Sequence, residues 1–248
     1  VSASLARRVA AEAVGSAALV AVVVGSGIQA TELSRDVGVQ LLANSLATVF
    51  GLGVLITLLG PVSGAHFNPV VTLAVWFSGR RGGDGPTGRD VAAYVPAQVA
   101  GAVTGALLAD AMFGRPLVHL STHDRSAGHL WLGEVVATAG LVLLVLGLPR
   151  VGRAALAPVA VASYIGAAYW FTSSTSFANP AVTAGRAFTD SFAGIAPASV
   201  GGFVAAQLVG GALGLALVAG VFGREKAAVR PEPSPVREAL EATTPTLP

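Results

Sequence analysis

The sequence predicts an all-α membrane protein with six spanning helices, two re-entrant half-helices and inverted three-span repeats. Three observations predict it. The apolar residues fall in runs of about twenty, the length a helix needs to cross a bilayer. The two halves of the chain echo one another, and an Asn-Pro pair stands at the corresponding place in each half. Composition agrees: 53% of the 248 residues are hydrophobic and 11% charged, against about a quarter charged in an ordinary soluble domain. Runs of this kind satisfy their backbone as helices in lipid, where no water is available to do so.

Taken in order, the spans are expected at about 9–30, 39–60, 90–113, 129–148, 154–172 and 199–222. Residues 1–8 lack the apolar core and small-residue cleavage site of a signal peptide, so the first run is expected to stay as a span. Segments 61–79 and 173–188 are moderately apolar but too short to cross, and each opens on a Gly/Ser/Thr-rich stretch leading into Asn-Pro. A re-entrant half-helix fits that length. The chain therefore divides into a first repeat at 1–113, an extracellular connecting loop at 114–128, a second repeat at 129–225 and a tail at 226–248. The tail is rich in Pro, Glu and Thr, with too little apolar surface to offset its ordering entropy, and is expected to be disordered.

Lysine and arginine in short loops set orientation. Eleven of the fifteen fall on one side: Arg7, Arg8, Arg80, Arg81, Arg89, Arg150, Arg153, Arg224, Lys226, Arg230 and Arg237. The opposite side holds Arg35, Arg115, Arg125 and Arg186. Both termini are accordingly expected in the cytoplasm, with the protein in the cell (inner) membrane. The net charge of +2, with no basic patch among aromatics, is too small to suggest a nucleic-acid partner, and none is expected. Without cysteine there is no disulfide framework and no thiolate metal site.

The internal repeat is specific. Glu12–Gly25 laid on Glu134–Gly147 gives seven identities in fourteen positions and pairs the lone glutamates. Gln98-Val-Ala-Gly is echoed by Gln207-Leu-Val-Gly, and Phe67-Asn68-Pro69 by Ala178-Asn179-Pro180. Three spans per repeat is an odd number, so the second repeat sits inverted and the half-helices enter from opposite faces.

Asparagine is a strong N-cap, and proline in the first helical turn sacrifices no hydrogen bond. Asn68-Pro69 and Asn179-Pro180 therefore read as helix starts. A half-helix of roughly ten residues spans about 15 Å, half the hydrocarbon thickness, so two of them meet at the midplane. Their N-termini bring partial positive charge and two amide side chains to one point, which suits a passing oxygen and repels cations. A single Asn-Pro reads as a turn; two at matched places in a repeat do not.

Ser63-Gly-Ala-His-Phe-Asn-Pro-Val-Val-Thr72 and Phe177-Ala-Asn-Pro-Ala-Val-Thr183 resemble the paired signature loops of the aquaporin and aquaglyceroporin family. The resemblance runs from about residue 5 to 225. It implies an aquaporin-like homotetramer with one pore per subunit, conducting small neutral solutes and water through a lipid bilayer without cofactor or metal. The central constriction would comprise Asn68, Pro69, Val70, Asn179, Pro180 and Ala181. It also implies a narrower filter nearer the outside, which counting back from the asparagines places at Thr48, Ala167, Ser176 and Val182. Tyr169 and Trp170 lie within a turn of Ala167 and compete for its place.

Most family members carry arginine where this chain has Val182 and histidine or an aromatic at other filter positions. The small residues here imply a wide filter that passes glycerol, other polyols, urea and neutral metalloid hydroxides such as arsenous acid. Val182 with the following Thr-Ala-Gly-Arg-Ala-Phe-Thr-Asp is similar to the bacterial branch found beside arsenic-resistance genes. Arg186, one turn beyond Val182, offers a substitute at the outer vestibule; the plainer reading has it snorkelling to headgroups or pairing with Asp190.

The buried-span residues Glu12 and Glu134 are candidates for a proton relay. The resemblance instead makes them supports that accept hydrogen bonds from the re-entrant backbone. His66 is read as pore lining, with protonation gating as the alternative. His119, His123 and His129 near Asp124 match no tetrahedral ligand spacing and read as solvated loop residues. Gly101, Gly105, Gly210 and Gly214 have the small-xxx-small spacing of closely packed helices. Three functions compete: a permissive passive channel, a water-selective pore with a rebuilt filter, and a coupled secondary transporter. An enzyme is disfavoured, since no nucleophile, base and acid set is visible.

Overall fold

The computed structural model describes residues 3–80 and 85–223. The expected disordered tail at 226–248, together with Arg81 and Arg224, lies outside the described residues. Among the described residues, six helical spans are long and apolar enough to cross a membrane: α1 (Leu5–Leu33), α2 (Val37–Ser63), α4 (Gly88–Met112), α5 (Gly128–Arg150), α6 (Ala157–Phe171) taken together with the 3-10 turn at Ala154–Leu156 that leads into it, and α8 (Pro197–Phe222). Between them lie two short helices, α3 (Pro69–Gly79) and α7 (Pro180–Arg186).

Each short helix starts as its sequence dictates. Asn68 and Asn179 sit extended at the N-cap, proline takes the first turn, and the asparagine oxygen accepts the N–H of Val70 in one case and of Ala181 and Val182 in the other. Here α3 has eleven residues, close to the expected ten, but α7 has seven. At 1.5 Å per residue that is about 10 Å of helix. The shortfall has a cause: after Arg186 the chain turns back through Thr189 and Ser191, and the Ile195 N–H closes onto the Arg186 carbonyl.

The main helix contacts repeat between the halves. Helix α1 packs on α4 as α5 packs on α8. Gly101 and Gly105 make the first contact possible, since a Cβ at either would lie 2.2 or 2.1 Å from the carbonyl oxygen of Ala13 or Ala17. Gly210 and Gly214 do the same against Val135 and Ala139, at 2.5 and 2.7 Å. Small residues let helix backbones approach where lipid supplies no hydrophobic drive. The face of α2 carrying Phe50, Val54 and Leu58 is exposed.

Candidate functional site

Two non-helical loops precede α3 and α7, and the structure treats them alike. All five non-glycine residues with positive φ among the described residues lie here: Ala65, Phe67, Thr175, Ser176 and Ala178. With Gly64 at φ 92° they form matched left-handed runs in the two loops. Each non-glycine residue in that region costs on the order of 1–3 kcal/mol and persists only where surroundings hold it.

The holders are the two buried glutamates. Glu12 accepts the backbone N–H groups of His66 (3.0 Å) and Phe67 (2.7 Å), the Ser63 hydroxyl and the Gln98 amide. Glu134 accepts Phe177 N–H (2.9 Å), Ala178 N–H (2.7 Å) and the Gln207 amide. Both are fully buried. Gln98 also donates to Thr72 and Gln207 to Thr183, and each threonine hydroxyl donates back to the carbonyl of Asn68 or Asn179. This polar set stitches each loop to the long helices beside it. It satisfies backbone donors that no water reaches.

The asparagines join the halves. Asn68 Nδ2 donates to the Ala178 carbonyl at 2.7 Å, and Asn179 Nδ2 donates to the Phe67 carbonyl at 2.8 Å. Each NH₂ has two hydrogens. One is spent on the opposite loop, which leaves the other for the cavity that both asparagines line.

That cavity, about 270 Å³, is lined by six helix stripes at i, i+4 spacing. They are Leu19 and Val23; Thr48, Leu52 and Ile56; Val71 and Val75; Leu141 and Val145; Ala157, Val161, Ile165 and Tyr169; and Val182 and Arg186. The loops add Gly64 to Asn68 and Ser176 to Asn179. Thr48, His66, Ser176, Val182 and Arg186 thus reach the cavity together with both asparagines. Pro69, Val70, Pro180 and Ala181 do not: Val70 turns toward α8, against Gly211, and Ala181 is buried in the main apolar core.

Two further expectations need correction. Ala167 is exposed on the far side of α6 and lines nothing. Two residues along a helix is a rotation of about 200°, so a stripe through Ile165 and Tyr169 must point Ala167 away. Tyr169 takes the place instead, 4% exposed, with its hydroxyl 3.2 Å from Thr48 Oγ1. Thr48 gives its proton to the Asn44 carbonyl, so Tyr169 is the donor. Trp170 faces outward and donates to Ser45.

Arg186 is the second correction. It neither snorkels nor pairs with Asp190. It is 3% exposed, its Nε donates to the Ala193 carbonyl, and its Cζ sits 3.4 Å from the Phe177 ring centroid. Asp190 is held by the Thr122 N–H and hydroxyl, which keep its carboxyl below the usual carboxylate range, and its backbone carbonyl accepts from Arg115.

His66 sits against Thr72, whose one proton goes to Asn68 O; Nδ1 therefore carries the hydrogen in their 3.1 Å contact. Ser176 Oγ is buried with no hydrogen-bond partner among the described residues. Among the described residues no cluster of three or more His, Asp or Glu forms a metal site.

Residues 1–176 match the family described as Major intrinsic protein. Aquaglyceroporin AqpS of Rhizobium meliloti (strain 1021) is 52% identical over 214 residues, covering 86% of this chain and 89% of that protein. Aquaporin Z of Bradyrhizobium diazoefficiens is 33% identical over 228 residues, covering 84% and 90%. The aquaglyceroporin structure from Plasmodium falciparum shares the fold with a TM-score of 0.62 over 88% of this chain and 97% of that one, at 21% identity.

Proposed function

The chain belongs to the major intrinsic protein family, whose members are membrane channels and not enzymes, and from that premise we propose a passive channel for glycerol-type polyols, neutral metalloid hydroxides such as arsenous acid, and water. The observation that carries the reading is the joined pair of asparagines, each with one amide hydrogen left toward a shared, largely apolar cavity. A neutral solute that exchanges its water for those donors crosses the midplane, and an ion that cannot shed its hydration does not.

The selectivity filter is proposed at Thr48, Tyr169, Ser176 and Val182, outside the asparagines. Val182 offers no donor and little bulk, which favours solutes larger than water. Two relatives, named an aquaglyceroporin and a propanediol uptake facilitator, point the same way. The protein is proposed to work as a homotetramer in the cell (inner) membrane, with both termini cytoplasmic.

Tyr169 favours a second reading, a narrower pore that prefers water, because an aromatic replaces the small residue expected at that position. A coupled transporter has less support, since every oxygen of Glu12 and Glu134 is committed to the loops.

Stopped-flow swelling of proteoliposomes in water, glycerol and arsenous acid gradients separates these readings. The permissive channel predicts flux of all three above protein-free lipid; water flux with glycerol at the lipid background supports the narrow pore. Val182→Arg is expected to lower glycerol and arsenous acid flux by about tenfold or more, a barrier change of about 1.4 kcal/mol, and water flux by less.

A further inference from the structure

We infer that Arg186 is a specificity-determining residue of this pore: its guanidinium is the fixed charge that turns cations away at one end of the cavity. This role rests on the channel reading above.

Among the described residues, Arg186 is the only Asp, Glu, Lys or Arg lining the cavity. Its position on the stripe matches that of Val75 in the first loop, because each stands seven residues after its asparagine. The charge is therefore on one side of the asparagines only.

The side chain is fixed as a device of this kind requires. Nε is anchored on the Ala193 carbonyl, and the plane lies against Phe177. Neither Nη has a hydrogen-bond partner among the described residues, so their N–H groups are left to the cavity. An arginine held for structure alone would spend these donors on protein acceptors, since buried unpaired donors are costly.

Among the described residues no carboxylate forms an ion pair with the guanidinium. Glu134 acts on it only through space, its oxygens being bonded to the N–H groups of Phe177 and Ala178 and to Gln207. Asp190 is turned to Thr122, and Asp124 to Ser126 and Ser199. Arg125 adds a second positive charge, with its Nε on the Gly194 carbonyl and its Cζ 5.0 Å from the same Phe177 ring. A cation passing Arg186 meets a like charge that no ion pair neutralises, between low-dielectric walls where repulsion far exceeds its value in water. A polyol or a neutral hydroxide meets free donors instead.

The test is the ratio of proton leak to glycerol flux in the same proteoliposomes, which does not depend on how much protein is folded. Arg186→Gln is expected to raise this ratio at least about tenfold, equivalent to 1.4 kcal/mol of barrier, while Arg186→Lys keeps it near wild type. Val182→Glu sets a carboxylate four residues before Arg186 on the same stripe. It leaves the anchor and the Phe177 contact in place, and is expected to raise the ratio as well. An unchanged ratio in either Arg186→Gln or Val182→Glu, with glycerol flux intact, overturns the role of Arg186. Absence of glycerol flux in the wild type overturns the permissive-channel reading on which this role rests, a different outcome.

Discussion

The two loops differ in what lines the cavity and agree in what holds them up. Glu12 and Glu134, Gln98 and Gln207, Thr72 and Thr183, and Asn68 and Asn179 make corresponding bonds in both halves, with the Ser63 hydroxyl an extra donor to Glu12 and the Val182 N–H an extra donor to Asn179. Even the ring contacts correspond: His66 meets Tyr94 edge-on at 5.8 Å, and Phe177 meets Phe203 edge-on at 5.1 Å. The lining residues diverge, with His66 against Phe177, Ala65 against Ser176 and Val75 against Arg186. Beyond the asparagines, the lining matches at Val71 and Val182, and in the helix stripes at Leu19 and Leu141 and at Val23 and Val145. The repeated residues build a strained backbone that needs outside support, and the unrepeated ones give each end of the cavity its own chemistry.

Breaking the shared scaffold should have the largest effect. Glu134→Ala strands the N–H groups of Phe177 and Ala178 and the Gln207 amide. At about 1–3 kcal/mol per unmet buried donor, the loss is at least ~3 kcal/mol. Glu12→Ala strands its own four donors and should cost no less. Thermal unfolding in detergent measures both. Equivalent scaffolds require both variants to melt well below wild type and to lose solute flux together; a variant that melts normally breaks the equivalence.

A change confined to the divergent lining should be milder and should leave stability nearly intact. Tyr169→Ala removes the ring beside Thr48 on the Arg186 side of the asparagines. The ratio of glycerol to water permeability is expected to rise about fivefold, the scale of a 1 kcal/mol barrier change. Swelling rates in paired osmotic gradients give this ratio directly. No change would move the narrowest point away from Tyr169 and toward the asparagines.

What could be read from the sequence follows the same division. The spans, both helix starts and the polar pairs Glu12/Glu134 and Gln98/Gln207 were legible, because a duplicated feature is visible against itself. The lining was less so. Helix α6 is apolar on most faces, so its pattern does not say which face turns inward, and counting back from Asn179 selected Ala167 in place of Tyr169. Arg186 was ambiguous for another reason. Its partner is the carbonyl of Ala193, brought back by a loop whose fold carries no local signature, so charge and spacing alone also fitted a snorkelling residue. The orphaned Ser176 hydroxyl, likewise, is a fact of packing that composition does not reveal.

The smallest effect belongs to the exchange that makes one loop resemble the other. His66→Phe gives the first loop the ring already present at Phe177. It removes one hydrogen bond to Thr72, worth about 1 kcal/mol, but Thr72 keeps the Gln98 amide as donor and the Asn68 carbonyl as acceptor. The Glu12 scaffold reaches residue 66 through its backbone N–H, which the substitution preserves. The edge-on contact with Tyr94 is available to a phenyl ring as it is to an imidazole, as the Phe177 and Phe203 pair demonstrates. Glycerol flux is therefore expected to stay within about threefold of wild type, less than 1 kcal/mol of barrier, and to be as independent of pH from 5.5 to 8 as a pore without a titrating ring. If the wild type conducts with a pH midpoint that His66→Phe abolishes, the imidazole gates its end of the cavity by protonation. The two ends would then differ in control as well as in charge.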